Sequence, residues 1–259
     1  MRLLLVEDNQ ADADFLAASL RRQRAGDVQL VTVGSLKDAT AQLGVPQVPP
    51  FDVVLLDLHL PDGSGLQCVD VIQSVNDTIP IVVLSGQDDE EFAISILNKG
   101  VQDYLVKWEG QGRTILRSIR YAIERKRSEL RMNFLAQFDP LTGIPNRHSF
   151  HEQLARATAR ARREARAVTL LFLDLDEFKV VNDTLGHDAG AERLRRAVRA
   201  GDVVARLGGD EFAVMMEGLH GPREVESVAE GLLGVIAEPF HIADRKLTVT
   251  TSIGIAMFP

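Results

Sequence analysis

The sequence has a single cysteine, Cys68, so no internal disulfide can form and a disulfide-stapled secreted scaffold is excluded. It also lacks long apolar runs: none approaches the roughly 18 to 20 residues that cross a bilayer. The N-terminus, MRLLLVEDNQ, turns acidic before an apolar core of signal-peptide length can build up. These absences predict a cytoplasmic protein with no membrane span. Positive charge is scarce too, with 29 Lys and Arg against 37 Asp and Glu, for a net charge of −8. Phosphate backbones are bound by Lys and Arg surfaces, so a nucleic-acid polymer is not the expected partner. No internal repeat and no low-complexity tract is visible. The surplus of acid suits pockets that hold a divalent cation.

What is present is enough apolar material for two cores. The chain has 259 residues, 45% hydrophobic and 25% charged, more than one core usually organises. Residues 1–122 alternate short apolar runs, RLLLV, VQLVTV, DVVLLDL, IPIVVLS and DYLVK, with amphipathic stretches. That alternation predicts a parallel sheet covered by helices on both faces, with function gathered at the carboxyl ends of the strands. The second half differs. VTLLFLDLD, VVARL, EFAVMM and LTVTTSIGIAMF, with a helix near 222–237, predict an α+β sheet containing antiparallel hairpins. Between the halves, GRTILRSIRYAIERKRSELRMNFLAQF reads as one long helix. Leu116, Ile119, Ile123 and Leu130 form its apolar seam, with Lys126 interrupting it. Its first half is expected to pack as the last helix of its own domain, and beyond Tyr121 a dimeric coiled coil is one of two expectations. The basic, alanine-rich ARATARARREARA is expected to be a helix with a solvated face.

Chemistry-bearing residues stand at the ends of the first set of strands. LLLV runs into Glu7 and Asp8, VVLL into Asp57, IVVL into Ser85 and DYLV into Lys107. In a doubly wound sheet these ends converge, so three carboxylates, a hydroxyl and an ammonium would share a pocket. Clustered carboxylates repel unless a cation sits among them, and oxygen-only ligands favour Mg²⁺. A carboxylate beside Mg²⁺ can attack a phosphoryl group to give an aspartyl phosphate. On these residues the chain resembles the response-regulator receiver domain over essentially all of residues 1–122. The resemblance implies that Asp57 is the phospho-acceptor, that Glu7, Asp8 and Asp57 with the His59 carbonyl hold Mg²⁺, and that Ser85 and Lys107 hold phosphoryl oxygens. It makes Tyr104 the aromatic that changes rotamer, and a sensor histidine kinase or phosphotransfer protein the partner. Trp108 follows Lys107 where the family usually has proline, so a cis bond there would carry the non-proline cost of about 2.5–4 kcal/mol.

In the second half, VVARL and EFAVMM flank Gly208 and Gly209 as a β-hairpin whose turn needs positive φ. Asp210 and Glu211 follow it, and the strand LLFLDLDEFK gives way to Asp174 and Asp176. If the hairpin lies beside that strand, Asp174 and Asp210 share a metal, and the bare glycine backbone lets a nucleotide lie close. Metal-bridging carboxylates near a strand end suit attack by a 3′-hydroxyl with loss of pyrophosphate. RLGGDEF, DPLTGIPNR, FLDLDEFKVVNDTLGHDAG and VTTSIGIAMFP together resemble the GGDEF diguanylate cyclase family over roughly 137–259. The resemblance implies a homodimer in which two GTP molecules, one per GGDEF domain, join into cyclic di-GMP. Asp174, the Leu175 carbonyl and Asp210 would bind Mg²⁺, and Glu211 would bind metal or assist removal of the 3′-hydroxyl proton. Lys179 would face phosphate and Asn182 guanine, while Gly208 and Gly209 line the nucleotide. Arg199 and Asp202, in RAGD, match the family's RxxD site for product.

The expected fold class is therefore α/β: a flavodoxin-like doubly wound receiver domain at 1–122, a linker helix at 123–137, and an α+β ferredoxin-like, nucleotidyl-cyclase palm domain at 138–259. Three departures from the family pattern bear on turnover. GHDAGA puts Ala191 where the family has an acid that accepts from guanine, and a lost acceptor leaves a ligand N–H unpaired. AERLRRAVR is about two turns shorter than in relatives, which shrinks its packed face. The GGDEF domain is expected to be C-terminally incomplete, lacking a helix with a Lys and an Arg for GTP phosphates; in some relatives a phosphodiesterase domain follows. The alternative to a cyclase is a degenerate GGDEF domain that binds GTP or cyclic di-GMP, or serves as a dimerisation module.

Overall fold

The computed structural model describes residues 1–22, 28–46, 48–86, 90–107, 112–176, 189–199, 201–219, 221–242 and 245–259. The chain divides into two units, Met1–Arg131 and Met132–Pro259. No helix among the described residues is long and apolar enough to cross a membrane.

In the first unit, β1 (Arg2–Val6), β2 (Gln29–Val33), β3 (Val53–Asp57), β6 (Ile81–Ser85) and β7 (Asp103–Val106) form an all-parallel sheet in the order β2-β1-β3-β6-β7. Two short strands, β4 (His59–Leu60) and β5 (Gly63–Ser64), pair just after β3. Apolar runs replace simple alternation because both sheet faces are buried. Leu4, Val6, Val54, Leu56, Ile81 and Val83 pack with α2 (Leu36–Gly44), α3 (Leu66–Val75) and α4 (Glu90–Asn98). Their alternates Leu3, Leu5, Val53, Leu55, Val82 and Leu84 pack with α1 (Gln10–Arg22) and α5 (Gly112–Gln137). This is the flavodoxin-like order, and the reversal between β1 and β3 opens a crevice at their carboxyl ends.

Helix α5 runs unbroken through the boundary between the units. Leu116, Ile119, Ala122 and Ile123 are buried at three- and four-residue spacing. Lys126, which interrupts the seam, is also buried, with its Nζ 3.1 Å from Glu129. Further along, Met132, Phe134 and Leu135 are exposed.

In the second unit, β8 (Val168–Leu175), β9 (Val203–Gly208), β10 (Glu211–Glu217) and β13 (Thr251–Phe258) form an antiparallel sheet ordered β13-β8-β10-β9. Helix α6 (Arg147–Glu164) lies on one face through Phe150, Ala157 and Ala161, whose small alanines permit close approach while Arg156, Arg160 and Arg163 stay exposed. The helices Ala189–Ala197 and Pro222–Ala237 cover the other face, where Leu194, Val225, Leu232 and Ile236 meet Leu171, Leu173, Phe212 and Val214. The expected single strand over 247–258 is two. Arg245–Leu247 (β12) pairs with Phe240–Ile242 (β11), and only Thr251 onward joins the sheet. The break has a physical cause: Val249 turns into the core, and Thr250 spends its backbone carbonyl and hydroxyl on Asp176.

Phe212 is fully buried at the centre of the larger core of this unit. Phe212→Ala should cost about 3–5 kcal/mol in chemical denaturation, by lost transfer energy plus the cavity left behind.

Candidate functional site

Two groups of residues singled out from the sequence come together, each within its own unit. At the carboxyl edge of the parallel sheet, Glu7 and Asp57 are each only 4% exposed. Glu7 follows β1 and Asp57 ends β3, the two adjacent strands at the reversal point. Lys107, just after β7, donates from Nζ to Glu7 Oε2 at 2.6 Å, Asp57 Oδ2 at 2.8 Å and Asp12 Oδ2 at 3.1 Å. Its backbone N–H donates to the carbonyl of Ser85, a residue fully buried at the end of β6. The Asp57 carboxylate also accepts from the His59 N–H at 3.2 Å, and the Glu7 carboxylate from the Asn9 N–H at 3.2 Å.

The electrostatics follow from burial and pairing. Burial pushes the Glu7 carboxyl above its ordinary value and the Asp57 charge adds to this, outweighing the Lys107 bond that lowers it. Burial acts to depress Lys107, but the hydrogen bonds it gives to Asp57, Glu7 and Asp12 outweigh this and hold it above the ordinary lysine range. The ammonium is held in its charged form among more acids than one positive charge neutralises. Glu7, Asp8 and Asp57 offer carboxylate oxygens that all lie within 4.8 Å of one another, and among the described residues no other such group of three occurs. Asp8 is the exposed member. An oxygen-only donor set of this size fits Mg²⁺.

The second group surrounds the Gly208–Gly209 turn. Both glycines have positive φ, 149° and 53°, and a Cβ on either would meet nothing within 4 Å, so glycine serves backbone conformation beneath open space. Glu211 is directly opposite Asp174 on the paired strands, and Leu175 N–H donates to the Asp210 carbonyl at 3.0 Å. Asp174, Glu211, Arg147, Phe172 and Ser252 help line a cleft of about 410 Å³. Two arginines brace the turn. Arg147 donates to the Leu207 carbonyl at 2.9 Å and to Glu211 Oε2 at 3.3 Å. Arg206 grips the Gly209 carbonyl at 3.0 and 2.7 Å and reaches Asp139 at 3.1 Å. Asp139 also accepts from the Thr142 hydroxyl at 2.7 Å and its N–H at 2.9 Å, so the DPLTG segment is fastened to the hairpin.

Other expected residues are placed less centrally. Arg199 and Asp202 form a small turn, Asp202 Oδ2 accepting from Arg199 N–H at 3.0 Å, at the opposite end of β9 from Gly208. A six-residue strand, roughly 20 Å at its usual rise, separates them from the glycine turn. Lys179, Asn182 and Trp108 lie outside the described residues, as does the Ala191 side chain. One residue and two pairings were not read from the sequence. Asp12 resembles any acid in the first turn of a helix, and the acids joined to arginine, Asp139 with Arg206 and Glu211 with Arg147, are more than sixty residues from their partners. Only the DPLTG motif hinted at Asp139.

A parallel sheet with a buried acid–lysine pocket at its reversal point defines the first unit as a receiver. The sequence agrees: residues 3–119 match the response regulator receiver domain family, and residues 136–259 match the family described as diguanylate cyclase, GGDEF domain. The response regulator PleD of Caulobacter vibrioides is 31% identical, across 98% of this chain and 58% of its own. The bifunctional diguanylate cyclase/cyclic di-GMP phosphodiesterase MucR of Pseudomonas aeruginosa is 42% identical across 48% of this chain and 19% of its own. A solved sensory box/GGDEF family protein from Caulobacter crescentus CB15 is 35% identical, covering 48% of this chain and 85% of that one, with a TM-score of 0.44. The chain belongs to the response regulators that join a receiver domain to a GGDEF domain. It spans 58% of the length of PleD and 19% of that of MucR.

Asp139 supplies a test of the brace. Burial acts to raise its carboxyl, but the Thr142 and Arg206 contacts outweigh this and hold it below the ordinary aspartate value. Its contribution to stability is therefore present above the unfolded value and lost as pH falls through the depressed one. Unfolding free energy measured against pH should fall on the acid side in the native chain, and Asp139→Asn should flatten part of that fall.

Proposed function

We propose that the chain is a response regulator in which Asp57 accepts a phosphoryl group from a histidine kinase or phosphotransfer protein and so controls a GGDEF domain that condenses two GTP molecules into cyclic di-GMP. The observation that carries this reading is the Lys107 ammonium 2.8 Å from Asp57 Oδ2 within a buried acidic pocket. An Asp57 oxygen forms a bond to phosphorus as the bond from phosphorus to the donor breaks, and the electron pair leaves with the donor. Lys107 and the Ser85 hydroxyl then hold phosphoryl oxygens. Glu7, Asp8 and Asp57 hold a magnesium ion, which when bound supplies the positive charge that a phosphoryl group at this acidic edge requires.

In the GGDEF domain, Asp174 and Asp210 hold the Mg²⁺ that accompanies GTP, and Glu211 takes the proton of the 3′-hydroxyl. That oxygen forms a bond to the α-phosphorus of a second GTP, and pyrophosphate departs with the electron pair. Lys179 faces phosphate and Asn182 guanine, while Arg199 and Asp202 bind product. Each copy of the chain brings one GTP, so the working form is a homodimer. The open, side-chain-free space above Gly208 and Gly209 supports nucleotide binding at the hairpin. Ala191 favours a second reading, in which guanine lacks its acidic acceptor and the domain binds GTP or cyclic di-GMP without turnover.

With GTP and Mg²⁺, the chain should release pyrophosphate faster when a small phosphodonor is added. Asp57→Ala should lose that stimulation, and Glu211→Gln should lose turnover by 100-fold or more, on the order of one removed acid–base group. Calorimetric GTP binding with no pyrophosphate under any condition would select the second reading.

A further inference from the structure

The chemistry above gives Asp12 no part, yet Asp12 is the third acceptor of the Lys107 ammonium, at 3.1 Å. An ammonium has three N–H donors, and Glu7, Asp57 and Asp12 take all three in this structure. Any phosphoryl oxygen that Lys107 is to hold must displace one of them. Asp57 carries the phosphoryl group and Glu7 belongs to the magnesium-binding set, so Asp12 is the acceptor that stays on Lys107 and shares its charge with the phosphoryl group. It is held in place: it sits in the first turn of α1, where the helix dipole favours an acid, with Ala13 and Leu16 buried beside it. Leu5, Leu84, Leu105 and Ile115 line the small cavity it shares with Glu7 and Lys107, so polar alternatives there are few.

We propose that Asp12 is a positioning residue whose carboxylate competes with a phosphoryl group for the Lys107 ammonium and so sets how readily Asp57 holds that group. The proposal rests on Asp57 being the phospho-acceptor. Two opposite effects follow. Removing the Asp12 charge frees Lys107 for the phosphoryl group and removes a like charge from its vicinity. The same change weakens Mg²⁺ binding, because the pocket loses a negative charge and Lys107 loses the partner it can keep when Glu7 and Asp57 turn toward the ion.

The test uses the full chain, titrated with Mg²⁺ alone and then, at saturating Mg²⁺, with beryllium trifluoride as a phosphoryl mimic. The fluorescence of Trp108, the single tryptophan and the residue after Lys107, gives the readout. Asp12→Asn should lower the half-saturating beryllium trifluoride concentration about fivefold and raise that of Mg²⁺ by about as much, the scale of a partly screened ion pair. Asp12→Glu, which restores the carboxylate, should return both toward the native values. Movement of both affinities in one direction marks a merely loosened pocket and overturns the proposal, as does a change under twofold in either. A native chain that responds to Mg²⁺ but not to the mimic overturns the Asp57 reading instead. The Mg²⁺ arm then decides for Asp12: a weakened response in Asp12→Asn supports its hold on Lys107, and an unchanged one overturns it.

Discussion

One ammonium set among buried carboxylates is the constraint on which the first unit turns. Glu7 and Asp57 lie at the ends of strands that, apart from Arg2 at the far end of β1, are apolar and buried, a setting that penalises an unpaired charge by several kcal/mol. Lys107 makes the arrangement tenable, and it can do so only because the strand order places β1, β3, β6 and β7 side by side with their carboxyl ends on one edge. Topology comes first here and chemistry follows from it. Four strands end in or run straight into Glu7, Asp57, Ser85 and Lys107, and the parallel sheet converts those separate endings into one pocket.

The GGDEF domain solves a different problem. Its acids are more open: the Glu211 side chain is 59% accessible and pairs with the equally open Arg147. What is fixed there is the backbone of the hairpin, gripped from one side by Arg206 and from the other by Arg147. Asn146, three residues past DPLTG, ties the end of α5 into the same network, since its Nδ2 donates to the Leu135 carbonyl and its N–H to that of Gln137. A rigid turn with open space above it suits a ligand as large as a nucleoside triphosphate. A closed pocket around an ammonium suits a group as small as a phosphoryl. The two sites differ as their proposed ligands do.

Much of this was legible in the sequence because the informative residues stand at the ends of apolar runs. The parallel sheet, its helical cover, the antiparallel hairpin at Gly208–Gly209 and the long α5 all follow from periodicity and glycine placement. What escaped was whatever depends on contacts between distant segments. Asp12 looks like a helix-first-turn acid and reaches Lys107 only because α1 and β7 meet across the sheet edge. Arg206 and Asp139 are 67 residues apart, and neither motif names the other. The run LTVTTSIGIAMF reads as one strand by composition, yet Val249 turns into the core and Thr250 bonds to Asp176, so only Thr251 onward joins the sheet. Lys126 looked like an interruption of an apolar seam and instead buries its stem beside the seam while pairing with Glu129.

The central claim, that the buried pocket is a phosphate-accepting aspartate site, is tested most directly by phosphorus NMR of the native chain treated with a small phosphodonor and Mg²⁺. The account predicts one protein-bound acyl-phosphate resonance that disappears on adding hydroxylamine. No protein-bound resonance, or one that survives hydroxylamine, would contradict it.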